Sequence, residues 1–247
     1  MELKNLFKLT ALSTALAATL GLAGCGGDIN INTGKETTTP TTPTTPTTPT
    51  ETAQQKSYSG FATKSTTFAS VDGKEVWELT GTLAPSTAAS TISTGGQDGE
   101  KIVLGNDVVW LLNGAVVAGG DNENSVELAI LPGTKILGGS DSYLVISRGS
   151  KIMAEGTAAA PIVFTSAETA LGQEGKAGQW GGLVLLGNAP VNTCPDLANC
   201  DASFEVGNHN YGGDNTQDSS GVIQYVRVEF GGFKINDTQE MNGISFA

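Results

Sequence analysis

Apolar residues alternate with other residues in the middle of the chain, and glycine interrupts the alternation at regular places. One line, apolar-x-apolar-x-x-Gly-x-x-apolar-x-Gly/Ala, occurs three times between Val109 and Ala154. Its positions are Val109, Leu111, Gly114, Val117 and Gly119, then Leu128, Ile130, Gly133, Ile136 and Gly138, then Leu144, Ile146, Gly149, Ile152 and Ala154. A period of two predicts β-strands, and the glycines predict turns between them.

A repeat this short cannot bury its own apolar side, so it becomes stable only when successive copies stack. The pattern therefore predicts an all-β protein, a parallel β-helix. We expect the three copies to lie one above another, with Ile130 and Ile146 as stacked neighbours in a common interior. The residues between the repeat positions would then point outward, in mostly apolar rows such as Trp110, Ala129 and Val145. Such an outer face needs a cover, either the N-terminal segment or a partner.

Composition and charge narrow the functional classes. The chain has 247 residues, 33 of them glycine, with 15% charged and 6% aromatic residues, which suits many short strands and turns. A net charge of −12 argues against nucleic acid as a partner, because a negatively charged protein is not attracted to the phosphate groups of a nucleic acid. His209 is the one histidine, which excludes histidine-rich metal sites. It is either a general base at a sugar site or an ordinary loop residue.

Residues 1–24 are typical of a secretion signal. Lys4 and Lys8 accompany an apolar run, residues 9–22, that is too short to span a bilayer comfortably. The run ends in Leu-Ala-Gly-Cys25, which resembles the lipobox of bacterial lipoproteins; the alternative is an ordinary cleavage site with a chance cysteine. The resemblance implies a lipoprotein signal peptide, cleaved before Cys25, whose thiol and amine then carry lipid chains such as palmitate. Gly26 stands where inner-membrane retention uses aspartate, which favours the outer membrane.

Residues 25–57 contain Cys25 and then a linker rich in threonine and proline. Proline recurs at every third place at Pro40, Pro43, Pro46 and Pro49. This composition cannot form a core and favours an extended, disordered segment with polyproline II character. We interpret it as a stalk between the membrane and the folded domain, with a peptide-recognition segment or glycosylated threonines as alternatives.

The remaining chain divides into two parts. Residues 58–107 are predicted to form an N-terminal cap that covers the first coil and adds an irregular one. Residues 108–247 are predicted to form the coils, with one continuous strand from Gly221 to Phe230.

Several blocks of the second half resemble a family of bacterial envelope proteins. They are residues 151–165, Trp-Gly-Gly…Asn-Ala-Pro at 180–190, Tyr-Gly-Gly…Ser-Gly at 211–221, residues 225–232 and residues 240–244. The family comprises lipoproteins and secreted surface proteins of the pectin-lyase-like superfamily, and the resemblance implies a right-handed parallel β-helix. It implies no catalytic residues. The resemblance implies that relatives continue for more coils, so the coils ending at Ala247 are expected to be incomplete.

Two small sites remain. Cys194 and Cys200 are the cysteines left after lipidation, and in an exported protein they predict a disulfide, since their spacing is not that of a redox pair. Asp214, Thr216 and Asp218 alternate as oxygen donors do in a calcium loop, but Ser219 and Tyr225 replace the expected glycine and glutamate. The segment is either a weak calcium site or a solvated acidic loop.

These features favour a lipid-anchored protein of the cell surface that acts as a scaffold or as an adhesion or binding module, rather than as an enzyme. Its partners would be the membrane and a polysaccharide or surface protein. The alternative is a carbohydrate-active protein that binds or cleaves polysaccharide along a groove of the β-helix.

Overall fold

The computed structural model describes residues 58–83, 100–194, 200–237 and 239–247. The predicted signal peptide, lipidated Cys25 and linker lie outside these ranges. The described strands are β1 (Thr63–Lys64), β2 (Val76–Leu83), β3 (Glu100–Leu104), β4 (Val109–Ala118), β5 (Val126–Ile130), β6 (Lys135–Gly138), β7 (Tyr143–Ile146), β8 (Lys151–Glu155), β9 (Ile162–Ser166), β10 (Leu183–Leu185), β11 (Ala202–Ser203), β12 (Asn210–Tyr211), β13 (Gly221–Gln224), β14 (Val226–Val228) and β15 (Ile244–Phe246). The described helices are a 3-10 turn (Tyr58–Gly60) and α1 (Ala167–Ala170).

Parallel strands form three walls around one interior. The first wall stacks the first halves of β2 and β4, then β6, β9 and β14. The second wall stacks the second halves of β2 and β4, then β7, β10 and β15. The third wall stacks β3, β5, β8 and β13. The chain visits the walls in turn, as in β6, β7 and β8, and then starts the next coil. The predicted right-handed parallel β-helix is therefore confirmed.

Equivalent residues of successive coils form ladders in the interior. On the first wall Trp110, Ile136 and Phe164 follow one another in register, and on the third wall Leu128 pairs with Ile152. These side chains are almost wholly buried in one apolar cluster. Burying each large apolar side chain stabilises the fold by about 1.5–3 kcal/mol, so the ladders hold the coils together.

The expected stacking of the three sequence repeats is wrong. Ile130 pairs with Leu104 and Ala154, whereas Ile146 pairs with Ala118 and Leu185. The reason is that each repeat covers two strands while a coil has three walls. The repeats therefore begin on the first, third and second walls in succession, and they follow one another around the tube.

The first repeat also faces the opposite way from the prediction. Trp110, Leu112 and Val116 point into the interior, while Val109 and Leu111 belong to an outer apolar cluster. A shift of one residue reverses every side chain of a strand. The sequence does not separate the two registers here because both sides of β4 are apolar, as expected for a strand buried on both faces.

The chain itself covers the outer sides of two walls. Phe68 and Val71 from the N-terminal segment, with Ala167 of α1, pack on the outer side of the first wall. Val206 and Met241 pack on Val145 and Val184 of the second wall. The N-terminal segment thus covers part of the outer side of the first wall, and later segments cover part of the second.

Two further details concern the ends of strands. The 3-10 turn places Tyr58 against Trp110, with the ring centroids 4.7 Å apart, and the Tyr58 hydroxyl donates a hydrogen bond to Asp107.

The single strand predicted from Gly221 to Phe230 is divided into β13 and β14. The reason is that Tyr225 has a positive φ of 48° and turns the chain from the third wall to the first.

Candidate functional site

The outer side of the third wall combines charged and apolar rows. Lys101, Glu127 and Lys151 are neighbours in register on β3, β5 and β8, and Lys101 Nζ lies 2.8 Å from Glu127 Oε1. The Lys101 and Glu127 side chains are 37% and 39% exposed, so water screens this pair and its contribution to stability is small.

An apolar row runs beside these charges. It consists of Val103, Ala129, Met153 and Val222, which are neighbours in register on the four strands of the wall. Val222 is 40% exposed, Val103 and Met153 are half-buried, and Ala129 is buried. None of the apolar clusters formed by the described residues extends over this row. We call the charged and apolar rows together the open face.

The sequence only partly anticipates the open face. Lys151 and Met153 lie between repeat positions, so they were expected to point outward, and they do. Stacking of the repeats would have placed them beside β4 and β6, but their neighbours are the residues of β5. Lys101 and Glu127 were not singled out at all. Each of β3, β5 and β8 has a charged residue within its first two positions, but the row becomes visible only when the strands are placed in register.

A second polar cluster fastens the covering segment to the second wall. Arg148 is 8% exposed; its Nη1 donates to the carbonyl oxygen of Gly212 at 2.8 Å and lies 3.0 Å from Asp201 Oδ1, and its Nε donates to Asp121. This hydrogen bond from Arg148 holds the pKa of Asp121 below its usual range. The sequence did not predict the cluster, because its members come from three separated segments.

His209 lies beside this cluster, half-buried, with its ring edge-on to Tyr143 at a centroid distance of 6.3 Å. Burial lowers the pKa of His209, and the negative charge of Asp121 opposes this shift in part. Burial raises the pKa of Tyr143. The general-base role considered for His209 stays a prediction.

We expect the stability of the protein to fall with decreasing pH in two steps. A pKa lowered by folding means that the unfolded chain binds more protons, so stability decreases as the pH falls below the unfolded value. The first step starts near pH ~6.5, where an unfolded histidine titrates, and the second near ~3.9 for Asp121. Urea unfolding measured at a series of pH values from above ~6.5 to below ~3.9 tests both steps.

The variant His209→Gln separates the two steps, since His209 is the one histidine of the chain. It should remove the upper step and leave the lower one. An unchanged pH profile in this variant would contradict the assignment of the upper step to His209.

The predicted disulfide is present: Cys194 and Cys200 are bonded, with their Cα atoms 5.2 Å apart. Cys200 lies next to Asp201 of the Arg148 cluster, and its Sγ would be 2.8 Å from a Cβ placed on Gly212. The bond therefore supports the same covering segment that Arg148 holds.

Removing the disulfide by a Cys194→Ser, Cys200→Ser double substitution should lower the free energy of unfolding by about 2.4 kcal/mol, the chain-entropy value for so short a loop. Urea unfolding of the oxidised, reduced and substituted proteins gives the comparison. The reduced wild-type protein should match the double variant. A reduced protein that is as stable as the oxidised one would show that the loss in the double variant has another cause.

The candidate calcium ligands lie on the loop between β12 and β13. Asp214 and Thr216 are exposed, and Asp218 Oδ2 accepts a hydrogen bond from the backbone N–H of Asn188 at 2.8 Å. Among the described residues, no group of three or more His, Cys, Asp or Glu side chains is placed to hold a metal. The calcium site stays a prediction, which thermal melting with added calcium tests.

In the ranges that the structure describes, no helix is both long and apolar enough to cross a membrane.

Three stacked parallel walls with a common interior define the class of right-handed parallel β-helix proteins. The family model described as a pectate-lyase like beta helix domain matches residues 96–247, and the chain belongs to this family. No curated protein and no solved structure matches the chain.

Proposed function

We propose that the protein is a lipid-anchored protein of the cell envelope whose β-helix is a non-catalytic scaffold and binding module. The observation that carries this proposal is the open face. The chain's own segments cover the outer sides of two walls, and the third wall keeps an ordered row of charged and apolar side chains partly exposed. A regular surface of this kind suits the binding of a partner.

The partner that the open face suits best is a polysaccharide. Its rows run across the strands, so equivalent side chains recur at about 4.8 Å, the spacing of neighbouring strands. An extended chain of sugar units meets repeated contacts along such a row. Lys101, Glu127 and Lys151 offer hydrogen bonds to hydroxyl or acidic groups, and Met153 and Val222 offer apolar contacts to ring faces.

Binding to neutral and acidic polysaccharides tests this part of the proposal. We expect binding to a member of the panel without cleavage, and at least tenfold weaker binding when Lys101 and Lys151 are both replaced by alanine, since each contact with a charged group contributes about 1.5–3 kcal/mol. Lys64→Ala on β1 removes an exposed lysine elsewhere and is the matched control. The protein could instead attach to whole cells through the open face and bind none of the glycans. That result would indicate a surface protein as the partner.

The lipid anchor is supported by the Leu-Ala-Gly-Cys25 segment that follows an apolar run, and Gly26 supports the outer membrane as its destination. Labelled palmitate should be incorporated into the wild-type protein and not into Cys25→Ser. The threonine- and proline-rich residues would then hold the β-helix away from the membrane.

The family description supports a second candidate function, cleavage of polysaccharide by a lyase or hydrolase reaction. New reducing ends or unsaturated products in the same incubations would replace the non-catalytic proposal by this one. Products that also disappear in the Lys101 and Lys151 variant would place the reaction on the open face.

A further inference from the structure

The chain contains two asparagine–glycine pairs, and the structure holds their backbones differently. Asn113–Gly114 lies within β4, at the corner between the first and second walls, and Asn242–Gly243 lies just before β15. Asparagine is a thermolabile residue, and a following glycine increases its reactivity because the glycine nitrogen is accessible and its backbone rotates freely. Both asparagine side chains are exposed. The difference between the two pairs therefore lies in the backbone.

The backbone of the first pair is weakly constrained. Among the described strands, neither Asn113 nor Gly114 is in register with a residue of another coil, because pairing of β4 with β6 ends at Leu112 and pairing with β7 begins at Ala115. The register between β2 and β4 shifts at the same place. Gly114 has a φ of +71°, and a Cβ placed on it would have no atom within 4 Å. The chain has room to rotate here.

The backbone of the second pair is held on several sides. The carbonyl oxygen of Gly243 accepts a hydrogen bond from the backbone N–H of Leu183 at 3.0 Å. A Cβ placed on Gly182 would overlap the carbonyl oxygen of Asn242, and one placed on Gly231 would lie 3.2 Å from the Cα of Gly243. Such close packing opposes any rotation of this peptide unit.

From this contrast we propose that Asn113 is a site of spontaneous deamidation in the folded protein, that Asn242 is protected, and that the reaction weakens the attachment of the N-terminal segment. The Gly114 nitrogen forms a bond to the side-chain carbon Cγ of Asn113 and loses its proton. The bond between Cγ and Nδ2 breaks, and the amide group leaves with that proton as ammonia. Water then opens the cyclic imide at either carbonyl carbon, which gives aspartate or isoaspartate.

The modified side chain belongs to a series of hydrogen bonds that holds the N-terminal segment. Asn113 Nδ2 donates to Glu78 Oε2 at 3.2 Å, and Ser65 Oγ donates to Glu78 Oε1 at 2.6 Å. Ser65 Oγ also accepts hydrogen bonds from the backbone N–H groups of Thr67 and Phe68, each at 3.1 Å. An ionised carboxyl group at position 113 cannot donate to Glu78 and repels its carboxylate. The segment that covers the first wall is then held less firmly.

The test follows both sites by peptide mass spectrometry while the purified full-length protein is incubated at neutral pH. We expect Asn113 to deamidate at least about tenfold faster than Asn242, a difference of about 1.4 kcal/mol in activation free energy. In urea above the unfolding transition the two rates should become similar, because an apolar residue, Leu112 or Met241, precedes each pair and the folded backbone no longer distinguishes them.

Three variants separate the reaction from its effect. Asn113→Gln keeps the amide group but reacts only through a larger ring, so it should abolish the fast modification, whereas Asn242→Gln is the matched control and should leave it unchanged. Asn113→Asp carries the product carboxylate from the start. It should make hydrogen exchange at the Thr67 and Phe68 amides about two- to fivefold faster, the effect of losing one weak hydrogen bond.

Equal deamidation of Asn113 and Asn242 in the folded protein would overturn the proposal. A difference between them that persists in urea would also overturn it, because the folded backbone would not be its cause. Unchanged hydrogen exchange in Asn113→Asp would overturn the effect on the N-terminal segment.

Discussion

Replacing Trp180 with alanine is expected to lower the free energy of unfolding by about 3–5 kcal/mol, as measured by urea unfolding. Trp180 is completely buried in the interior and stacks on Phe164, with the ring planes 8° apart. Its indole N–H donates to the carbonyl oxygen of Glu229 at 2.7 Å. Alanine leaves a cavity between two coils and removes the partner of that carbonyl group.

Gly138 provides the matched test of this packing. A Cβ on Gly138 would overlap the indole ring of Trp180 and lie 2.6 Å from its Cβ. Gly138→Ala alone should therefore destabilise the protein, and in the Trp180→Ala background its cost should be smaller, because only the close contact with the Cβ of residue 180 remains. A double-mutant cycle with additive effects would show that the two residues do not compete for the same space.

Replacing Gly221 with alanine is the second change with a large expected effect. We expect the free energy of unfolding to fall by roughly 3–6 kcal/mol, from backbone strain and overpacking together. Gly221 begins β13 with a φ of +117°, a conformation that side-chain-bearing residues rarely adopt. A Cβ there would overlap the carbonyl oxygen of Ile152 and lie 2.8 Å from its backbone nitrogen. The third wall would have to separate at this strand.

Gly114→Ala is the control, because Gly114 also has a positive φ, of 71°, but a Cβ there has no atom within 4 Å. Gly114→Ala should lower the free energy of unfolding by only about 1 kcal/mol, because only the unfavourable backbone conformation contributes. Equal losses in the two variants would show that close approach between coils is not what requires glycine at position 221. Glycan binding by Gly221→Ala is also expected to weaken, since Val222 of the open face follows directly.

The predicted strands illustrate what local pattern can and cannot provide. Alternation with glycine identified β5 to β8 and the inward direction of Ile130, Ile136, Ile146 and Ile152. It failed at β4, where the outer side is also apolar because Phe68 and Val71 cover it. The polarity of one side of a strand depends on distant segments, so the pattern alone does not distinguish inside from outside there.

The candidate sites show the same division. The disulfide between Cys194 and Cys200 was predictable, because the expected export favours disulfides and the expected lipidation of Cys25 leaves these two cysteines as partners. The Arg148 cluster and the open face were not predictable, since each joins residues that are far apart in the sequence.

By itself the sequence determined the class of fold, a stack of short parallel strands, because glycine-punctuated alternation has few other stable arrangements. It also determined the disulfide. Only the tertiary structure decided which repeats are neighbours, which walls are covered and where polar groups converge. The physical reason is that a coil has three walls and a repeat has two strands, so the contacts between coils depend on how the whole chain winds.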